Sequence, residues 1–233
     1  MVIKTSKKGF IMNWKELLNR NKHILFIIYC PVYLHCFNWL EARDGIPFQD
    51  IHCILDDWIP FCEIFVIPYV LWFLYVAAVV VWLYFQREHL EDYYRCVILL
   101  MLGMSTCLLI YYLFPNEQNL RPDAFAEQNI FTDIIGFIYA SDTNTNVLPS
   151  IHVYNAIAIH VAFTSSYKFR GRRGWHTASL ALCVLICLST MFLKQHSFLD
   201  VITGLGLYLI YYAVTCPLMK YWQRKKGQTP FHA

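Results

Sequence analysis

Apolar residues along this chain gather into six runs near or above 18 residues, separated by short stretches that are polar, basic or acidic. A helix of about 20 residues crosses the roughly 30 Å hydrocarbon core of a bilayer. The pattern therefore predicts an all-α, six-helix membrane bundle with spans at 23–40, 61–85, 96–114, 150–167, 175–193 and 198–218. Cys, Tyr and Pro inside several runs are tolerated where neighbouring helices satisfy the freed backbone groups. Two connecting segments stand out. The stretch GIPFQDIHCILDDWIPF at 45–61 is acidic and aromatic, and reads as an interfacial helix or a plain loop. The stretch at 115–149 is long for a structureless connection. Its centre, NIFTDIIGFIYA, carries Ile130, Ile134, Ile135 and Ile138 at helical spacing, which predicts a helix lying on the membrane surface.

Composition supports a membrane protein. Of the 233 residues, 58% are hydrophobic and only 15% charged, against about a quarter in a soluble domain. The charges also orient the chain. Sixteen of the 19 Lys and Arg residues fall before the first span, between spans two and three, between spans four and five, or after the sixth. By the positive-inside rule these stretches and both termini are cytoplasmic, in agreement with an even number of spans. A basic N-terminus before an apolar run is also the pattern of a cleavable signal peptide. No small-x-small cleavage site follows, so the first run reads as an uncleaved anchor. The chain is expected to form one domain over 1–233, with basic cytoplasmic segments at 1–22 and 219–233. The net charge of +3 is then a topology signal rather than a nucleic-acid patch, with anionic lipid headgroups as further partners of the basic clusters. The nine cysteines form no CxxC pair and mostly lie inside spans, as small apolar residues do. Pairing of Cys53 with Cys62, both on the outer side, is left open.

Only Arg43, Arg121 and Lys194 are basic on the outer side, where topology needs no positive charge. Arg121 lies in LRP of the long outer segment, and Lys194 in KQHSFLD before span six. His196 and Asp200 are four apart, on one face if the segment is helical. A carboxylate beside an imidazole fixes its tautomer and raises the basicity of the other nitrogen. At the same expected depth, Ser150 and His152 open span four in PSIH, where a helix start offers free N–H groups to an anion. Two cations, backbone donors and two imidazoles fit a phosphate, with one imidazole to attack and one to protonate the leaving group. His152, His196 and Asp200 would also make a two-His, one-carboxylate metal set, but no clustered ligand motif accompanies them and the adjacent cations oppose a divalent ion. His160, two turns deeper than His152, is expected to hydrogen-bond within the bundle or to serve as an intramembrane functional group. The remaining histidines read as ordinary interface residues.

These residues resemble a known family. Arg121-Pro122, then Pro149-Ser150-x-His152, then Ser189 followed by His196 and Asp200, is similar to the three patterns of the type 2 phosphatidic acid phosphatase superfamily. Those are six-helix membrane enzymes. The resemblance implies a lipid phosphatase without metal or other cofactor, acting on a lipid phosphate at the outer face of a bacterial plasma membrane. It implies His196 as the nucleophile that becomes phosphohistidine, Asp200 as its orienting carboxylate and His152 as the acid for the leaving oxygen. Arg121 and Ser150 would bind phosphate. Two departures remove cations: Phe114 stands where the family has Lys, and Thr190 where it has Arg. Lys194 is the expected substitute for one of them. The stretches DTNTNVLPSIH and LKQHSFLD look most like a branch grouped with inositol phosphorylceramide synthases. This keeps open a phosphotransferase, in which a second hydroxyl replaces water. A non-catalytic lipid-binding or transport relative is the third possibility.

Overall fold

The computed structural model describes residues 24–225. The basic stretch at 1–22, His23, the tail beyond 225 and His232 lie outside the described residues. The chain runs through α1 (Ile24–Glu41), β1 (Gln49–Asp50), α2 (Ile54–Trp58), α3 (Val66–Phe85), α4 (Leu90–Leu113), β2 (Asn116–Glu117), α5 (Ile130–Ser141), α6 (Ile151–Ser165), α7 (Arg173–Phe192) and α8 (Phe198–Lys225). Each predicted apolar run has become a helix. Four of them, α3, α4, α7 and α8, are long and apolar enough to cross a membrane among the described residues. The other two runs give α1 and α6. α1 has 18 residues. α6 has 15, about 22 Å at 1.5 Å per residue, which falls short of a full span. It is shorter than the run at both ends: Ser150, fully buried, caps its start, its Oγ accepting from the Val153 N–H at 3.4 Å, and Ser166 closes its end.

α6 is the axis of the bundle, packed against α3, α4, α7 and α8. Tyr154 and Ile159 on α6 are fully buried, among Val79, Leu83, Tyr93, Cys96, Leu100 and Tyr208. The Tyr154 hydroxyl donates to the Leu99 carbonyl at 2.7 Å. Gly103 leaves room for its ring, since a Cβ there would collide with it. Gly204 does the same for the backbone. A Cβ at that position would meet the Ser150 carbonyl oxygen at 2.7 Å, so α8 closes on the start of α6 only because residue 204 has no side chain. Away from this core, large apolar side chains such as Phe73, Leu74, Ile98, Leu109, Ile210 and Val214 are exposed, as lipid-facing helix surfaces require.

One end of the bundle is capped by the two segments that the sequence singled out. The stretch 45–61 holds the five-residue helix α2 and β1, which pairs in parallel with β2. The long segment is held by its own polar residues. Asn116, fully buried, accepts from the Val147 and Leu148 N–H groups at 2.8 Å each and donates to the Phe114 carbonyl. α5 is tethered as well as amphipathic. Ile135 is fully buried and Ile138 partly so, in a cluster with Val66, Tyr69 and Leu193, whereas Ile130, Ile134 and Phe137 face outward. At the opposite end, Arg87, Lys168, Arg170 and Arg172 line one cavity of about 850 Å³. The two basic loops thus share a side, as the charge pattern expects. All nine cysteines are free thiols, Cys53 and Cys62 included.

Candidate active site

Three chain segments converge at the capped end: the start of α6, the turn between α7 and α8, and the first two turns of α3. α7 ends at Phe192, and the turn is sharp because Lys194 adopts φ +52°, the left-handed conformation that terminates many helices and is usually taken by Gly. The N–H groups of Gln195 and His196 then both donate to the Thr190 carbonyl, at 2.9 and 3.0 Å. α8 starts two residues later. His196 therefore stands just before the helix and Asp200 in its first turn, which converts the i, i+4 spacing into contact.

The His196 Nδ1–H donates to Asp200 Oδ2 at 3.1 Å, and the Ser197 N–H donates to the same oxygen at 2.9 Å. Asp200 is fully buried and His196 nearly so. This pairing places the proton on Nδ1 and leaves the Nε2 lone pair free. Nε2 points at His152, whose Nδ1 is 3.4 Å away. The His152 ring is enclosed by aromatic rings of α3, with centroids of Tyr69 at 4.9 Å and Trp72 at 4.4 Å. The two motif segments are bonded through their backbones, the Ser150 N–H donating to the Asp200 carbonyl at 3.0 Å, and the Tyr111 hydroxyl of α4 donates to the Pro149 carbonyl at 2.7 Å. Ser150 sits within this junction as a helix cap.

Arg121 approaches from the long segment. Its guanidinium lies over the Tyr139 ring, 4.5 Å from the centroid, and donates to the carbonyls of Tyr139 and Thr143 and to Gln195 Oε1 at 2.6 Å. Burial pulls the Arg121 guanidinium below its ordinary pKa, while Asp142 and Tyr139 oppose the fall. Burial pushes the Asp142 carboxyl up, and His196 and Arg121 draw it back. Through Gln195, Arg121 is held to the residue next to His196 in sequence. His152, His196, Asp200, Ser150 and Arg121, taken from sequence separations of up to 79 positions, are thereby brought together.

Lys194 is placed differently. Its ammonium donates to the Asp56 and Ile59 carbonyls, at 2.9 and 2.5 Å, so its charge is spent on the C-terminal end of α2. Neither departure from the family pattern supplies a donor. Thr190 is fully buried and its hydroxyl returns to the Cys187 carbonyl, while Phe114 is exposed at the end of α4. His160 joins a Tyr75–Ser179–His160 chain at 2.6 and 2.8 Å, deeper in the bundle. Among the described residues no group of three or more His, Cys, Asp or Glu side chains is arranged to hold a metal ion.

Asp56 is the residue that sequence reasoning missed. It is buried and accepts from the Ser197 hydroxyl at 2.6 Å, the Phe198 N–H at 2.7 Å and the Cys53 N–H at 2.8 Å. It thus caps α8 from a segment about 140 positions away and fixes the turn that carries His196. Burial alone would raise its carboxyl, but these donors outweigh it and hold it below the usual carboxylate range. Its stabilising contribution is therefore complete above the unfolded pKa of about 3.9 and is lost as pH falls through the lower folded value. Asp56→Ala leaves three donors unmatched, two of them at the turn after His196. It is expected to cost about 3 kcal/mol, seen as a lower Tm at neutral pH, with a smaller difference from wild type near pH 3. An unchanged Tm would remove Asp56 as the anchor of that turn.

No curated protein and no solved structure matches the chain. One family model does, that of the PAP2 superfamily, over residues 96–222, a stretch of more than half the chain that contains Arg121, the PSIH segment and Ser189 to Asp200. The His–His–Asp constellation at the capped end therefore lies within the matched region, and the chain belongs to the PAP2 superfamily.

Proposed function

We propose that the protein is a membrane lipid phosphatase that hydrolyses a phosphomonoester or diphosphate lipid through a phosphohistidine on His196, without a metal, at the extracytoplasmic face of a six-span bundle with both termini cytoplasmic. Members of its superfamily are generally phosphatases or phosphotransferases. The observation that carries the reading is the line Asp200–His196–His152, in which a carboxylate fixes one imidazole and the free nitrogen of that imidazole faces a second.

His196 Nε2 attacks phosphorus as the bond to the lipid oxygen breaks, and protonated His152 gives that oxygen its proton. His152, now neutral, takes a proton from water as the water oxygen attacks the phosphohistidine. The P–N bond breaks, phosphate leaves, and both imidazoles return to their starting states. Asp200 stabilises the positive charge on His196 while phosphorus is bound. An attacking nitrogen sits about 3–3.5 Å from phosphorus, and the acid about 3 Å from the leaving oxygen, so the two nitrogens work at roughly 6 Å or more. The 3.4 Å contact is accordingly a resting state that opens as phosphate enters between the rings. Lipid tails remain in the bilayer beside α3, whose exposed Phe73 and Leu74 adjoin the Trp72 that covers His152.

The test is phosphate release by the detergent-purified full-length protein, with chelator present, from phosphatidate, phosphatidylglycerol phosphate, isoprenyl diphosphate and sphingoid phosphates. Release names the substrate. Silence across the panel from a folded protein sinks the phosphatase reading. One observation favours a phosphotransferase as the second reading. With Phe114 and Thr190 in place of cations, Arg121 is the cation left beside His196, and a singly charged phosphodiester needs less countercharge than a dianionic monoester. Turnover of a diester donor only when an acceptor alcohol is added would establish that reading.

A further inference from the structure

The lost cations leave a question of how the phosphoryl oxygens are held, and the neutral side chain next to the nucleophile answers it. Gln195 is buried, with 3% of its surface exposed. Its main chain is fixed at the Thr190 carbonyl, and its carbonyl oxygen accepts from the amide of Gln118 at 3.5 Å. Its side chain is also fixed. Arg121 offers only N–H groups, so the atom of Gln195 that meets it at 2.6 Å is the oxygen Oε1. The Nε2 amino group must then point the other way, and there it has no partner. The Nε–H of Arg121, the residue that holds this amide, is buried and has none either. Buried donors are paired almost without exception, and each orphan costs free energy. Two orphans on hydrogen-bonded neighbours, one of them adjacent in sequence to His196, are donors that acceptor oxygens of a ligand could satisfy. Trp72 Nε1, on the ring that covers His152, is a third buried donor without a partner.

We propose that Gln195 is a phosphate-binding residue of this site: its Nε2 amino group, with the Nε–H of Arg121, takes phosphoryl oxygens in place of the cations absent at positions 114 and 190. The proposal rests on the phosphohistidine reading, because the oxygens it binds are those of the group that His196 attacks. The Arg121–Gln195 bond gives the pair a preset geometry. It uses the guanidinium both to orient the amide and to keep one N–H in hand for the ligand. Lys194 cannot share this task while its ammonium is held by Asp56 and Ile59.

The substitution that separates binding from mere support is Gln195→Glu. A carboxylate keeps an acceptor for Arg121 and so keeps the guanidinium in place, but it removes the amino donors and adds negative charge. The probe is inorganic phosphate, read as product inhibition and, independently of turnover, as the phosphate-dependent rise in Tm of the full-length protein in detergent at pH 8. Wild type and His196→Ala should both be stabilised by phosphate. Gln195→Glu and Gln195→Met should need about tenfold to a hundredfold more phosphate for the same rise, the range of one or two charge-assisted hydrogen bonds. Phosphate protection of Gln195→Glu within twofold of wild type would overturn the proposal, since it would mean that Gln195 only props Arg121. Wild type that hydrolyses lipid phosphate but is not protected by phosphate overturns the proposal alone. Wild type that does neither overturns the phosphohistidine reading with it.

Discussion

His196→Ala is expected to lower phosphate release by at least about 10⁴-fold while leaving the protein folded. The size follows from what is removed. Without Nε2 there is no covalent route, and a direct attack by water must proceed with only the donors around Arg121 to stabilise the phosphoryl group. Loss of a nucleophile in enzymes that split a reaction through a covalent intermediate costs about 10⁴ to 10⁶ in kcat. The fold is expected to survive, because the ring's bonds are to Asp200 and His152 alone, while the turn is fixed by Asp56 and Thr190 through other atoms and α8 is bonded to the start of α6 through the Ser150 N–H. Thermal unfolding of the variant checks that point. Labelled substrate checks the intermediate: wild type quenched in alkali should carry phosphate on protein, and the variant none. The companion variant His152→Ala separates the two imidazoles. It should lose much less with a p-nitrophenyl ester, whose leaving oxygen needs no proton, than with an alkyl phosphate. Undiminished turnover by a purified His196→Ala protein would remove His196 as the nucleophile and point to another one.

How much of this was legible in the chain depends on how local the information is. The helices were, because each apolar run carries its own signal and each became a helix. The His196–Asp200 pair was, because a separation of four keeps the two side chains close at a helix start, where His196 precedes the helix and Asp200 lies in its first turn. Arg121 was visible as a charge without a topological use. Asp56 was not. Its partners, Ser197 and Phe198, lie some 140 positions away, and the string ILDDW reads as an acidic stretch whichever aspartate is buried. Lys194 was misleading for the complementary reason. Its ammonium is chemically suited to phosphate, but what decides its use is the left-handed turn and two carbonyls of a distant segment. Gln195 gave no signal at all. A neutral amide in the gap between motif positions acquires meaning only when an arginine takes its oxygen and leaves its nitrogen unpaired. α6 shows the same limit for elements: the apolar run covers 150–167, but Ser150 and Ser166 cap the helix at its two ends and it is 15 residues long.

Asp200→Asn should reduce kcat by about 10²- to 10⁴-fold with little change in KM. The substitution is nearly isosteric. One amide oxygen can still accept from both the His196 Nδ1–H and the Ser197 N–H, as Oδ2 does now at 3.1 and 2.9 Å. The amide nitrogen then takes the position of Oδ1, which is buried and without a partner, so the turn should hold and the Tm should stay near that of wild type. What disappears is the negative charge. A bound substrate barely senses it, because His196 is neutral before attack. As the P–N bond forms, His196 becomes positive, and a buried carboxylate at hydrogen-bond distance stabilises that charge where water cannot. The interaction is thus made chiefly in the transition state and the intermediate, which is why its loss lowers kcat rather than raising KM. The amide can also turn to donate to Nδ1. That would move the proton to Nε2 and abolish the nucleophile, as in a Ser-His-Asp triad whose aspartate is replaced by asparagine. Single-turnover measurements decide between outcomes. Slowed appearance of phosphoenzyme with unchanged substrate affinity places Asp200 in the attack step, whereas wild-type rates in a folded Asp200→Asn protein would leave it as a helix-start residue alone.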